Sequence, residues 1–253
     1  MNTIEIKNLE VVLNDTKVLS NISLSIKEGE YICIVGKNGS GKTTFVKTLN
    51  GIISPTLGDV EVLDMNTKDE DRIIEIRKNV GMVFQNPDNQ MVASLVEEDV
   101  AFGLENIGIE TSEMHKRVHE ALNKVGIEHL KDQNINKLSG GQKQKVCIAG
   151  ILAMKPRIMI FDEPTSMLDP YAREDILNEI YRLNKDEHIT IIHITHFMEE
   201  IEKADRVILL NDGKIVRDTY DVKNFLDNVE DIKNYNLELP LKKRIELKLK
   251  ECH

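Results

Sequence analysis

Four short runs rich in Ile and Val punctuate the chain: Tyr31–Val35, Val80–Phe84, Arg157–Phe161 and Ile189–Thr195. Runs of this length, apolar on both faces, predict buried parallel strands. Each is followed at once by a residue with chemistry to offer: the loop at Gly36, then Gln85, then Asp162 with Glu163, then His196. Ligands of open parallel sheets bind beyond the carboxyl ends of the strands. Polar residues commonly end a strand, but four such ends predict one shared crevice. The first thirty residues alternate instead, "TIEIKNLEVVL" then "VLSNISLSI", and predict a small antiparallel sheet. From Val96 to Met154 the apolar spacing becomes three and four, the period of helices, and "TSEM" marks a helix start with Thr111 or Ser112 as cap. After Asp218 the tail reads as irregularly helical. The expected organisation is an α/β core with an N-terminal β subdomain over 1–90 and 155–220, a helical subdomain over 91–154, and a C-terminal segment over 221–253.

Composition narrows the class of function. The 253 residues are 41% hydrophobic, enough for a core and against wholesale disorder. A net charge of −10 makes nucleic acid a poor partner, since phosphate backbones are gripped by Lys and Arg. The cysteines Cys33, Cys147 and Cys252 lie far apart, without metal-ligand spacing, and read as ordinary cytosolic thiols. No apolar run reaches the length of a membrane span, and "MNTIEIKNLE" is not a secretory signal. A soluble, cytoplasmic chain is expected, free to sit against a membrane protein.

Gly36-Lys37-Asn38-Gly39-Ser40-Gly41-Lys42-Thr43 matches the P-loop pattern between a predicted strand and a predicted helix. Its glycines let successive amides curl around phosphates. Lys42 is placed to reach the β- and γ-phosphates of a nucleotide, and the Thr43 hydroxyl to coordinate Mg²⁺. In "RIMIFDEPTSMLDP", Asp162 closes a buried strand where it can hold Mg²⁺ through water, and Glu163 is a candidate general base for an attacking water. Paired acids are often a solvated strand end; beside a P-loop the catalytic reading outweighs that. Gln85 offers both a donor and an acceptor to Mg²⁺ or water. His196 can donate to a γ-phosphate oxygen, whereas His193 in the same strand reads as structural.

"KLSGGQKQ" poses a puzzle, because it is a second glycine turn opening a helix, where backbone amides attract anions. It lacks a lysine like Lys42, but Ser139 and the Gly140 and Gly141 amides can still donate to phosphate. The economical answer is that Ser139-Gly140-Gly141-Gln142 faces the γ-phosphate of ATP held by a second, similar subunit, so that the full site forms only on dimerisation.

Together "GKNGSGKTT", "LSGGQKQ", "FDEPTSMLDP" and His196 resemble, in order and spacing, the ATP-binding cassette (ABC) ATPases, over almost the whole chain. The resemblance implies a P-loop NTPase (RecA-like) fold, ATP and Mg²⁺ as ligands, Thr44 as part of the ATP-binding loop, and Asp169 in the D-loop. Within that superfamily, "VGMVFQNPDNQMVASLVEEDVAFGLEN" and "SMLDP" look like the A component of energy-coupling factor (ECF) transporters, the first of two A subunits. That implies an importer of vitamins or transition-metal ions: two A subunits, unlike or identical, drive a membrane scaffold T component that holds a substrate-capturing S component. The chain would then be peripheral, at the cytoplasmic face of the membrane. Residues 86–103 would receive the scaffold's coupling helices, with Glu97, Glu98 and Asp99 facing basic residues there, although such a run is more often a solvated helix start. The tail after Tyr220 would help to hold the two A subunits together. Three positions depart from the pattern: Lys145 where arginine is usual, Phe197 where aspartate is usual, and Leu13 where an aromatic packs on adenine.

Three other readings stand beside this one. An ordinary ABC importer would use a soluble binding protein. A non-transport ABC ATPase acting on DNA or ribosomes would show coiled-coil inserts, zinc cysteines or two cassettes, and the sequence has none. A regulatory module without turnover is opposed by intact Lys42, Asp162, Glu163 and His196.

Overall fold

The computed structural model describes residues 1–235 and 237–251. By its internal contacts the chain falls into two compact units, Met1–Asp69 with Ile192–His253, and Glu70–Ile191.

The first unit begins with β1 (Asn2–Leu13) and β2 (Thr16–Lys27), an antiparallel hairpin. The apolar phase of β1 runs on even positions, Ile4 and Ile6, then on odd ones, Leu9 and Val11, and all four are buried. Keeping both sets inward requires one extra residue, and the register shifts between Ile6 and Leu9 around Asn8, which is left-handed at φ 50°. The hairpin closes through Asn14 and Asp15, both with positive φ (47° and 59°), the geometry of a two-residue turn matched to strand twist. β3 (Tyr31–Val35), buried throughout, leads into the Gly36 loop and then α1 (Lys42–Leu49). β4 (Leu57–Val62) and β5 (Met65–Asn66) complete a sheet in the order β2-β1-β4-β5.

The second unit opens with α2 (Ile73–Asn79) and β6 (Val80–Val83). It continues through α3 (Val96–Asn106), α4 (Thr111–Lys124) and α5 (Gly140–Ala153). Then follow β7 (Ile158–Asp162), parallel to β6, and α6 (Pro170–Lys185). The three helices α3 to α5 bury their spaced apolar stripes: Val100 and Leu104, Val118 and Leu122, Val146 and Ile148. Each such side chain removed from water contributes about 1.5–3 kcal/mol. Gly150 brings α5 close to α3, since a Cβ there would meet the Val100 Cα at 3.8 Å.

β8 (Thr190–Ile194) contains the boundary between the units. β9 (Arg206–Asn211) pairs parallel with β3 and antiparallel with β10 (Lys214–Thr219). The tail forms α7 (Val222–Asp227), α8 (Val229–Asn234) and α9 (Leu241–Glu251), short helices as the irregular pattern predicts.

Two local expectations are corrected. Neither Thr111 nor Ser112 caps α4: Thr111 is its first residue, and Glu110 stands at the cap without a capping bond. Instead Glu113 supplies the acid of the first turn and pairs with Arg117 at 2.8 Å. Phe84 lies outside β6, because its amide is taken by the Gln90 side chain at 3.1 Å rather than by a neighbouring strand.

Candidate functional site

In the first unit, the turn from β3 into α1 is built by glycine geometry. Gly39 and Gly41 have φ of 79° and 101°, which side chains rarely adopt. At Gly41 a Cβ would also press on the Leu19 side chain at 2.8 Å. The loop is strapped to the β9–β10 turn: Gly213 N–H donates to Ser40 O at 3.0 Å, and Lys37 pairs with Asp212 at 2.8 Å. The hydrogen bond and charge of Lys37 hold the Asp212 carboxyl below the usual range. Asp212 was not singled out from the sequence, although "NDG" signals a tight turn.

Lys42 is buried, its ammonium donating to the carbonyls of Gly36 at 2.8 Å and Lys37 at 3.1 Å. It is thus folded over the loop whose phosphates it is expected to meet. Ser40 Oγ is buried without a hydrogen-bond partner. A desolvated hydroxyl in a loop of left-handed glycines suits an incoming anion. Asn38 and Thr43 are exposed, and Thr44 is half-buried at the start of α1.

His196 lies two residues beyond the end of β8 and is half-buried, its ring 4.1 Å from that of Phe197 and tilted by 38°. Where an aspartate was expected, an aromatic side chain therefore packs on the histidine. His193 is fully buried, as a structural histidine should be. Leu13, at the tip of the first hairpin, is 39% exposed.

In the second unit, Asp162 is the buried last residue of β7. Glu163 follows in the left-handed region at φ 51°. That conformation costs a non-glycine residue roughly 1–2 kcal/mol, and strain of this kind gathers at functional sites. Its carbonyl accepts from Ser166 Oγ at 3.0 Å, which pins the turn. Its carboxylate accepts from Gln85 Nε2 at 3.3 Å. Two residues separated by most of the unit's sequence are thereby brought together.

The "LSGGQ" turn begins α5 with a capping box: Ser139 Oγ accepts from Gln142 N–H at 3.3 Å, and Gln142 Oε1 accepts from Ser139 N–H at 2.9 Å. Accepting in this way leaves the Ser139 hydroxyl proton to be donated elsewhere. The Gly140 and Gly141 amides, first in the helix, have no intrahelical carbonyl to reach. Gly141 also sits against α6, where a Cβ would meet Ala172 Cβ at 3.0 Å. A cleft of about 260 Å³ is lined by Gln85, Gly140, Lys143, Gln144, Pro164 and Leu168. Lys143 pairs there with Asp88 at 2.6 Å, a link between α5 and the segment after Gln85 that the sequence did not announce. Asp169 caps α6, accepting from Tyr171 N–H and Ala172 N–H, each at 3.0 Å.

The acidic trio on α3 divides. Asp99 is engaged locally, accepting from Val92 N–H at 2.8 Å and Ala93 N–H at 3.0 Å. Glu97 lies 3.2 Å from His115. Lys145 retains a carboxylate partner, Asp175, at 2.7 Å. Among the described residues no three His, Cys, Asp or Glu side chains gather to hold a metal ion unaided, and no helix is long and apolar enough to cross a membrane. A Mg²⁺ ion suits such a donor set only alongside nucleotide phosphates, since it commonly takes one or two protein ligands and keeps its waters.

Residues 19–166 match the ABC transporter family. The chain is 52% identical over 217 residues to the energy-coupling factor transporter ATP-binding protein EcfA1 of Clostridioides difficile, covering 84% of this chain and 78% of that protein. It is 49% identical over 242 residues to EcfA of Pediococcus pentosaceus, covering 94% and 86%. Among solved structures it resembles cbiO1 of Clostridium perfringens, part of the ABC transporter complex cbiONQ, with a TM-score of 0.84, 35% identity and 98% of each chain covered. It also resembles the dimeric ATP-binding cassette MJ0796 in a post-hydrolysis state bound to ADP and Pi, with a TM-score of 0.76, 32% identity, and 85% of this chain and 97% of that one covered.

Proposed function

Since the chain belongs to the ABC transporter family, we propose that it is the ATP-hydrolysing subunit of an energy-coupling factor importer, coupling ATP turnover to uptake of a vitamin or transition-metal ion. The observation that carries hydrolysis, rather than binding alone, is Glu163: left-handed, directly beyond Asp162, and hydrogen-bonded by Gln85. The relatives named EcfA1 and EcfA carry the transporter type.

In this reading residues 36–44 cradle the phosphates of ATP, and Lys42 exchanges its carbonyl partners for phosphate oxygens. Thr43 and Gln85 would ligate Mg²⁺ and Asp162 would hold it through water, where the ion would supply neutralisation of phosphate charge. Glu163 accepts the proton of the attacking water, and His196 donates to the γ-phosphate. Ser139, Gly140, Gly141 and Gln142 act on ATP held by the opposing subunit, and Asp169 lies in the D-loop. Support for the trans role is the geometry of α5, whose capped N-terminus keeps a hydroxyl proton and two glycine amides for an external anion. The segment 91–154 serves as the signature-bearing helical subdomain, and 221–253 as a dimer contact. The partners are a second A subunit, unlike this one or identical to it, and membrane T and S components, with this chain peripheral at the cytoplasmic face.

The test is to purify the chain with its native partners from detergent-solubilised membranes and to assay ATP turnover. A second ATPase, a T-type scaffold and a small S-type membrane protein should co-purify. Recovery of an importer that depends on a soluble binding protein would overturn the ECF assignment. Absence of ATP turnover in the intact complex would overturn the hydrolytic one.

A further inference from the structure

The strand that ends beside His196 carries a buried polar chain that nucleotide chemistry does not use. His193, Glu200, Tyr31 and Thr195 are each 5% exposed or less. His193 Nδ1 lies 3.2 Å from the Tyr31 hydroxyl, and Nε2 lies 3.4 Å from Glu200 Oε2. The same Oε2 accepts from the Thr195 hydroxyl at 2.6 Å. Thr195 Oγ1 in turn accepts from Phe197 N–H at 3.0 Å. Thr195 thus links Glu200 to the amide on the far side of His196, and Tyr31 with His193 forms a buried pair beside it.

The direction of each bond follows from what each group can do. An amide N–H only donates, so Thr195 Oγ1 accepts from Phe197 and gives its own proton to Glu200. Glu200 Oε2 is the acceptor of that proton. His193 Nε2 lies 3.4 Å from the same oxygen but is buried without a hydrogen bond, while Nδ1 pairs with the Tyr31 hydroxyl. Burial first, and then neighbouring Cys33 and Glu200, push the Tyr31 phenol well above its ordinary range, so it keeps its proton. Burying a carboxylate in such a core is costly unless its lone pairs are used. Here they are used on the residues that bracket His196.

The bracket is firm on both sides. Thr195 N–H donates to Ile34 O at 3.2 Å, fixing the residue before His196 to β3. Phe197 is held through its amide and lays its ring against the imidazole. We infer that Glu200, acting through Thr195, is a positioning residue that sets the backbone on either side of His196 and so aims its imidazole. The inference rests on the proposed role of His196 toward the γ-phosphate.

The experiment measures kcat and KM for ATP, with the melting temperature, in the complex purified with its partners. Thr195→Val preserves shape and removes the hydroxyl. Its kcat should fall on the order of 10-fold or more, as for a displaced reacting group, with KM within about twofold of wild type. Thr195→Ser, which restores the hydroxyl, should restore kcat. Glu200→Gln should stay within about threefold of wild type, because its amide oxygen still accepts from Thr195. If Thr195→Val does not fold, Thr195→Ala, which cannot overfill the site, takes its place. The inference is overturned by near-normal kcat in the hydroxyl-deleted variant, by failure of Thr195→Ser to restore it, or by a loss explained by unfolding at the assay temperature. His196→Ala is measured in parallel. Normal turnover in that variant removes the role of His196 and this inference with it; lost turnover there, with none lost in Thr195→Val, removes the positioning role alone.

Discussion

Gln85 Nε2 donates to Glu163 Oε2 at 3.3 Å, joining the segment beyond β6 to the residue beyond β7. β6 and β7 run parallel with Val83 opposite Phe161, so both strands deliver their next polar side chains to the same edge. The contact fixes the carboxylate from one side while the left-handed turn fixes its backbone from the other.

Glu163→Gln should lower ATP turnover by about 10²- to 10⁴-fold, the usual range for losing a positioned base. The amide keeps the shape and a neighbourly contact with Gln85 but cannot accept a proton. ATP binding should persist and the ATP-bound dimer should accumulate, which size-exclusion chromatography with ATP would read. Turnover close to wild type would remove Glu163 from the mechanism.

Ser139→Arg should leave ATP binding by the isolated chain nearly intact, because Lys42 and its loop belong to the other unit and are untouched. ATP-driven dimerisation and turnover should disappear. Mixing this variant with Lys42→Ala should assemble one composite site with both loops intact and recover part of the activity. Equal loss of nucleotide binding by the two single variants would show that the signature turn does not act in trans.

Leu13→Tyr should tighten ATP binding several-fold in the assembled complex. Leu13 is 39% exposed at a hairpin tip and offers no aromatic face. Stacking of a base on an aromatic is worth about 1–3 kcal/mol in single-stranded nucleic-acid sites. The wild type should also discriminate poorly between ATP and GTP. Unchanged affinities with a strong native preference for ATP would refute this account.

Gly81→Ala should destabilise the protein by about 1–3 kcal/mol, the range for overpacking a core. A Cβ at Gly81 would run into Cγ2 of Ile151 on α5. Ile151→Ala in the same chain should recover most of the loss, since it removes that methyl group. Denaturant unfolding of the two single variants and the double variant measures it, and additive losses would contradict the proposed clash.

Cys33 and Cys147 should resist alkylation at pH 8 in the folded protein and react after denaturation. Both are buried. Burial first, then the charges of Asp99 and Asp88, push the Cys147 thiol up to about 12, so at pH 8 only about one molecule in 10⁴ carries the reactive thiolate. Peptide mapping after iodoacetamide treatment reads the outcome, and rapid native labelling of Cys147 would contradict the packing around α5.

What the sequence determined alone is whatever local chemistry dictates. Side-chain alternation gave the N-terminal hairpin, and apolar spacing gave the helices between Val96 and Met154. The Gly36 loop and the "LSGGQ" turn were legible because glycine at fixed offsets is a backbone requirement that few other contexts impose. Tertiary structure decided whatever depends on partners distant in sequence. Nothing near Lys37 announces Asp212, nothing near Lys143 announces Asp88, and nothing near His193 announces the Tyr31 hydroxyl. The cap of α4 went astray for the same reason: a threonine or serine before an acid is a frequent cap, but the path of the chain out of Gly108 placed Glu110 there instead. Periodicity and glycine spacing are properties of a few consecutive residues, whereas a hydrogen bond between side chains exists only once the fold has brought its two ends together.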